Sequence, residues 1–313
     1  MPKPALPTAE HWVGLTAGLL RQSRSTGGSF CGATDRGRFA LAQGGSTIDI
    51  LTGRDYLTKV QYRDDTNLAA RQSIYVYRQP RVDLIANVLD LAGLTGQERV
   101  AEIGCGNGPY LAELARRGHE GRLLGLDLSP GMLAITKSAV PSAGVTVGDA
   151  QRLPLADGAA DVILAPHMLF HVPDRAAAAA EFRRVTRPAG RVLVVLNGAD
   201  HLAELLALAA GTAAALGVGD PGIWDEHQRH VSMTLDPGQQ LLSGVFETVE
   251  RYDFSGQLVL PGPEPVSRYI GSMRATQAMP DPAALTAAAA ARIPFGADGS
   301  FRVTTHSGLL ICR

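Results

Sequence analysis

The stretch from Val100 to Leu111 limits the possible folds of this chain more than any other. It reads Val-Ala-Glu-Ile-Gly-Cys-Gly-Asn-Gly-Pro-Tyr-Leu. Val100 to Ile103 has the character of a buried strand end. Tyr110 to Arg117 carries the apolar spacing of a helix. Between them Gly104, Gly106 and Gly108 stand at alternate positions. Glycine tolerates positive φ in a tight turn and lets a ligand lie against bare backbone. The unpaired N–H groups of the following helix start face that ligand.

Dinucleotide folds use such a turn too, with a third glycine three residues after the second. Here Pro109 holds that position. Glu102 sits at the strand end, where a carboxylate repels a pyrophosphate and suits an ammonium or sulfonium. A second strand, Leu123 to Asp127, ends in an acid suited to ribose hydroxyls. Ser129 and Pro130 follow as N-cap and first helical residue. A third strand, Val145 to Asp149, is expected to end in Asp149. Three strands thus bring carboxylates to the ligand edge of an open α/β sheet. That edge suits a cationic nucleoside.

The Glu102–Gly108 turn (E-x-G-x-G-x-G), the Leu126–Leu133 segment (L-D-L-S-P-G-M-L) and the Gly148–Pro154 segment (G-D-A-x-x-L-P) resemble the S-adenosylmethionine-binding motifs of class I methyltransferases. Phe182 to Leu193 resembles that family's helix, turn and fifth strand, with Ala189 where glycine is commoner. The likeness covers roughly Leu84 to Asn197. It implies an α/β, Rossmann-like doubly wound sheet of seven strands in the order 3-2-1-4-5-7-6, the last strand antiparallel. It also implies S-adenosylmethionine as methyl donor, released as S-adenosylhomocysteine, and no metal. Carried over by motif, the cofactor residues are Glu102, Gly104, Cys105, Gly106, Asn107, Gly108, Asp127, Leu128, Met132, Gly148, Asp149, Ala150, Gln151, Pro166 and His167.

With 313 residues the chain has room for one large domain with additions or two small ones. Apolar residues at 45% and charged residues at 19% fit a globular protein. A net charge of -1 offers no basic field for nucleic acid. Cys31, Cys105 and Cys312 are scattered and odd in number, which argues against a disulfide framework or zinc site and fits a cytoplasmic protein. Cys105 reads as a small residue filling a tight turn. No signal peptide is recognisable. Leu202 to Val218 falls short of the ~20 apolar residues a membrane span needs, and reads as a buried helix.

Residues 1–80 read as an N-terminal extension and cap, and 81–313 as the methyltransferase domain. Within the latter, 200–237 and 255–300 read as lid or substrate insertions. Glu10 to Gln22 has helical spacing and an apolar face suited to a homodimer. Asp64 to Arg71 resembles a segment that precedes the core in a small-molecule group of the family, where helices fold over the cofactor. Tyr62 and Arg71 are candidates there, the arginine for the methionine carboxylate. Tyr75 and Tyr77 read equally as packing residues. Pro80 to Leu94 is an amphipathic helix, and Ala160 to Ala165 a fourth strand.

Pro166 to Asp174 follows, resembling the same group's H-M-L-x-H-V-P-D. The spacing of His167 and His171 places them on one helical face. It would also suit a metal, but no third ligand is evident. His171 reads either as a backbone-bonded core histidine or as a proton acceptor. Asn197 and His201 are expected at the same carboxyl edge, His201 opening the next helix. Trp224, His227 and His230 fall in a polar, aromatic segment suited to a substrate wall. Pro263 to Gln277 and Asp281 to Arg292 look like inserted helices, with Ser267, Arg268, Tyr269 and Met273 as pocket candidates. Phe246 to Phe254 and Phe301 to Ile311 resemble the family's terminal antiparallel pair.

The reading is a methyltransferase transferring a methyl group to an oxygen, nitrogen or carbon of a small molecule, a natural-product intermediate. Its catalytic candidates are His171, His167 and His201. Alternatives are methylation of protein or RNA, or a non-catalytic protein that binds the donor.

Overall fold

The computed structural model describes Thr58, residues 65–218, Trp224 and residues 233–313. The candidate Tyr62, the expected helix Glu10 to Gln22, and His227 and His230 lie outside the described residues. All described residues belong to one compact unit, Gly44–Arg313.

The sheet strands are β1 (Arg78–Gln79), β2 (Val100–Ile103), β3 (Leu123–Asp127), β4 (Gly144–Val147), β5 (Ala160–Pro166), β6 (Thr186–Asn197), β7 (Val249–Leu260) and β8 (Phe301–Cys312). They run in the order β1-β7-β8-β6-β5-β2-β3-β4. Without β1 this is the expected seven-stranded arrangement, and β8 is antiparallel to both β6 and β7. The departure is β1, a two-residue edge strand that pairs Arg78 with Leu258 and Gln79 with Gln257. Two residues carry no periodicity, so the strand is silent in sequence.

The helices are α1 (Thr66–Ser73), α2 (Leu84–Ala92), α3 (Pro109–Arg116), α4 (Pro130–Ala139), α5 (Arg175–Val185), α6 (Ala203–Leu216), α7 (Leu235–Ser243), α8 (Pro263–Ser272), α9 (Arg274–Gln277) and α10 (Pro282–Ala290). Short 3₁₀ turns cover Ile74–Tyr77 and Leu169–His171. Strand alternation explains the two faces of the sheet. In β5, Val162 and Leu164 join the core beside Leu111 and Leu133. Ile163 and Ala165 join the opposite core beside Phe182 and Leu242.

Several boundaries differ from expectation. The amphipathic helix begins at Leu84, where the Asp83 side chain caps it through Ala86 N. β4 ends at Val147, so Asp149 lies beyond the strand, in an isolated bridge with Arg152. α6 starts at Ala203 because Leu202 takes a left-handed conformation, φ 57°, which breaks the helix after His201. Only one side of α6 is buried, through Leu205, Ala209, Thr212 and Ala213. The inserted helix expected over Pro263 to Gln277 is split at Met273, whose ψ of 140° is extended.

The length of the antiparallel β7–β8 pair matters most for the site. Ser307–Cys312 pairs with β6, in register with Asn197–Val192. Phe301–His306 pairs only with β7, opposite Ser255–Leu260. The pair therefore runs six residues, ~20 Å at ~3.4 Å per residue, past the carboxyl end of β6. A third core forms on this overhang. It joins Leu258, Leu260, Phe301 and Val303 to Ile74, Leu205, Val266, Ile270 and Ala289. Burial of these residues, at ~25 cal/mol per Å² of apolar surface, fixes α6, α8 and α10 above the ligand edge, and α1 lies against α8.

Candidate functional site

The glycine turn is built as its sequence requires. Gly104, Gly106 and Gly108 have φ of 68°, 56° and 77°. A Cβ on Gly108 would meet Thr136 Cγ2 at 2.8 Å, and one on Gly104 would meet Met168 Cβ at 2.7 Å. At Gly106 the nearest described atom would be Leu68 Cδ2 of α1, at 3.5 Å. Bare backbone therefore faces the space beneath α1. Thr136 Oγ1 donates to Gly106 O at 2.7 Å and pins the turn to α4.

Glu102 is 1% exposed, and its Oε2 has no hydrogen-bond partner among the described residues. Burial drives its carboxyl well above the usual range. The Leu111 N–H opposes the shift, and the Asp127 charge adds to it. Asp127 is raised as well, burial outweighing the N–H groups of Ser129, Gly106 and Leu128. Its Oδ2 accepts from Gly106 N at 2.9 Å and its Oδ1 from Ser129 N at 2.8 Å. A carboxylate offers about four acceptor positions, so acceptor capacity remains for a ribose hydroxyl. Asn107 Oδ1 is also buried without a partner among the described residues.

Two closely placed acids and two orphaned oxygens make a hole in the hydrogen-bonding pattern that a cation with N–H donors would fill. S-Adenosylmethionine, with its sulfonium and ammonium, has that chemistry. Asp149 Oδ1 accepts from Gln151 N at 2.9 Å and Gln151 Nε2 at 3.0 Å, fixing the loop that carries Ala150. Cys105 is buried, and burial pushes its thiol up, which suits the small-filler reading. Met132 is fully buried in the first turn of α4, and Gly148 packs against Leu126 and Pro154.

The opposite half of the edge is nitrogen-rich. His167 and His171 do not share a helical face. His167 has φ 52° at the tip of β5, and His171 closes the separate 3₁₀ turn. Pro166 ends β5, and the left-handed His167 turns the chain before any helix can start. Burial holds His167 down to about 4. His201 is 9% exposed and is held down to about 3, by burial first and by His167 second. His201 Nδ1 accepts from His306 N at 3.0 Å, and its Nε2 meets Tyr75 Oη at 2.8 Å. A backbone N–H can only donate. The neutral ring therefore carries its proton on Nε2 and donates it to Tyr75.

His171 Nδ1 accepts from Arg274 Nη2 at 2.6 Å. Arg274 is 2% exposed and was not anticipated as a site residue. Nor was Arg78, 4% exposed, or the pairing of Tyr75 with His201. These pairs join residues 103 and 126 positions apart, and no local pattern announces them. Asn197 Oδ1 accepts from Ser307 Oγ at 3.0 Å. Met273 is buried in the third core, with Tyr269 and Trp224 packed against it. Arg268 instead points to solvent and pairs with Glu264 one turn away. Arg71 lies in the last turn of α1, near enough to Tyr75 to act on it electrostatically. No group of three potential metal ligands occurs among the described residues.

Residues 101–194 match the model of the methyltransferase domain family. The chain contains a class I S-adenosylmethionine-dependent methyltransferase domain. It is 39% identical over 106 residues to the demethylmenaquinone methyltransferase of Beutenbergia cavernae, covering 34% of this chain and 43% of that protein. It is 35% identical over 108 residues to the malonyl-[acyl-carrier protein] O-methyltransferase of Serratia marcescens, covering 34% and 42%. The chain spans about half the length or less of these curated relatives. Phosphoethanolamine N-methyltransferase 2 of Haemonchus contortus, solved with phosphomonomethylethanolamine and S-adenosylhomocysteine, shares the fold. Its TM-score is 0.53 at 17% identity, covering 83% of this chain and 59% of that one.

Proposed function

We propose that the protein methylates an oxygen, nitrogen or carbon nucleophile of a small molecule, a secondary-metabolite intermediate, using S-adenosylmethionine. The observation that carries the donor half is the buried Glu102 Oε2, without a partner among the described residues, beside Asp127 and the bare glycine turn. When bound, S-adenosylmethionine supplies an activated sulfonium methyl group for in-line displacement. Glu102 and Asn107 would take the ammonium and sulfonium end, and Asp127 the ribose. Asp149, Ala150 and Gln151 would border the adenine. α1, with Leu68 and Arg71, closes over the turn and excludes water.

A small acceptor is supported by the overhanging β7–β8 pair and its helices, which wall the carboxyl edge. The buried free thiols of Cys105 and Cys312 suit a reducing cytoplasm. Among the described residues no helix is long and apolar enough to cross a membrane.

The histidines position rather than deprotonate. His167 and His201, neutral and depressed to about 4 and about 3, are weak bases at neutral pH. His171 already spends Nδ1 on Arg274. The geometry thus favours an acceptor that needs no strong base: an amine, an electron-rich carbon or an oxygen already ionised. Isothermal titration with S-adenosylhomocysteine tests the donor half, binding being expected for the native protein and lost in Asp127→Ala. Metabolite pools incubated with isotopically labelled donor, read by mass spectrometry, test the acceptor half. The reading fails if S-adenosylhomocysteine does not bind, or if label passes only to protein or RNA.

A further inference from the structure

Arg78 is a cation in the wrong place for a surface arginine. It is 4% exposed in the edge strand β1. Its Nη2 donates to Phe254 O at 2.7 Å, while Nε is buried with no acceptor among the described residues. No carboxylate among the described residues forms an ion pair with it. A guanidinium stays charged at any physiological pH. Burying one without an anion is expensive, and the planar guanidinium is the group over-represented where a carboxylate or phosphate is recognised.

The surroundings fit that purpose. β1 lies on the overhang of the β7–β8 pair, and Arg78 reaches back along β7 to Phe254, which pairs with Ser307 of β8 at the level where β6 ends. Tyr75, three residues earlier, stands next to it. Because His201 Nε2 gives its proton to Tyr75 Oη, the phenol proton has to be donated elsewhere, and no described residue accepts it. His201 is in turn locked by the His306 backbone. The ligand edge is therefore polarised. Glu102 and Asp127 occupy its β2–β3 end, and His167, His201, Tyr75 and Arg78 its β5–β8 end.

We propose that Arg78 and Tyr75, the latter oriented by His201, form a subsite for a carboxylate group on the methyl acceptor. The proposal rests on the methyltransferase reading and adds the substrate class, a small organic acid. The acidic end of the cleft takes the cationic donor. The opposite end takes an anion, and that division also keeps either ligand from entering the wrong half.

The test uses the full chain saturated with S-adenosylhomocysteine, titrated with benzoate and with benzamide, which match in shape and differ in charge. Benzoate should bind roughly tenfold or more tightly than benzamide. Arg78→Gln should erase that preference while S-adenosylhomocysteine affinity stays within about twofold of the native protein. Tyr75→Phe, at a partly exposed ring, should weaken benzoate alone, and it carries the test if Arg78→Gln does not fold. Equal binding of benzoate and benzamide by the native protein overturns the proposal. So does a preference that survives both variants. A fall in S-adenosylhomocysteine affinity in Arg78→Gln overturns it differently, by assigning Arg78 to the donor's own carboxylate. Failure of S-adenosylhomocysteine to bind the native protein removes the parent reading and this one with it.

Discussion

Glu102 shows how a single side chain can hold function at the expense of stability. Its raised carboxyl binds more protons in the folded chain than in the unfolded one. Stability therefore falls as pH rises from the ordinary carboxylate range through the folded value. A cationic donor reverses this by favouring the ionised form. Glu102→Gln should accordingly melt at or above the native temperature at neutral pH, yet bind S-adenosylmethionine roughly tenfold or more weakly. A scanning-calorimetry and titration pair checks both signs, and a lower melting temperature would contradict the burial argument. Gly108 makes the complementary case. Its φ of 77° and the Thr136 contacts leave no room for a side chain. Gly108→Ala should cost about 1–2 kcal/mol for the left-handed backbone alone, more with the clash, read by denaturant unfolding. These residues were legible in sequence because each sits inside one short motif whose chemistry is local. Arg78, Arg274 and Tyr75 were not, because their partners lie across the fold.

Among the elements, sequence and structure agree best where periodicity is strong. β2, β3 and β5 are short apolar runs between turn signals, and their helices carry clear caps at Asp83, Ser129 and Asp174. Agreement weakens where a single backbone torsion decides. The left-handed His167 and Leu202 broke two expected helical stretches, and the extended ψ of Met273 split another. Ala189, exposed at φ 59°, is a third left-handed residue outside glycine. Glycine adopts that conformation without Cβ strain. Ala189→Gly should therefore stabilise the chain by roughly 0.5–1 kcal/mol, with S-adenosylhomocysteine affinity unchanged. Loss of stability would show that the turn is held by something other than its torsion. The overhang of the β7–β8 pair was invisible in the sequence. Strand length can be read from a pattern, but register against a partner more than a hundred residues away cannot.

Across the molecule, one open sheet bears two unlike ends. Acids lie at the tips of β2 and β3, and imidazoles and a guanidinium lie beyond the tips of β5 and β6 and along the β7–β8 overhang. His306 ties the nitrogen-rich end together, meeting Asp200 at 2.8 Å through Nδ1 and Asp253 at 2.7 Å through Nε2. Burial opposes its charge, but the hydrogen bonds with Asp253 and Asp200 prevail and raise its pKa. A raised histidine gives stability that is fully present below the unfolded pKa and lost as pH rises through the folded value. The melting-temperature gap between native protein and His306→Gln should therefore be wide at about pH 6 and narrow at about pH 9. A gap that widens with pH would contradict the ion-pair reading.

The most direct measurement is a crystal structure of the chain with S-adenosylhomocysteine bound. The ribose should lie against Asp127, the amino group should reach Glu102, and the Gly104–Gly108 backbone should pass beneath the ligand. A ligand lodged elsewhere, or turned so that Glu102 Oε2 stays unpaired, would contradict the assignment of the acidic half to the methyl donor.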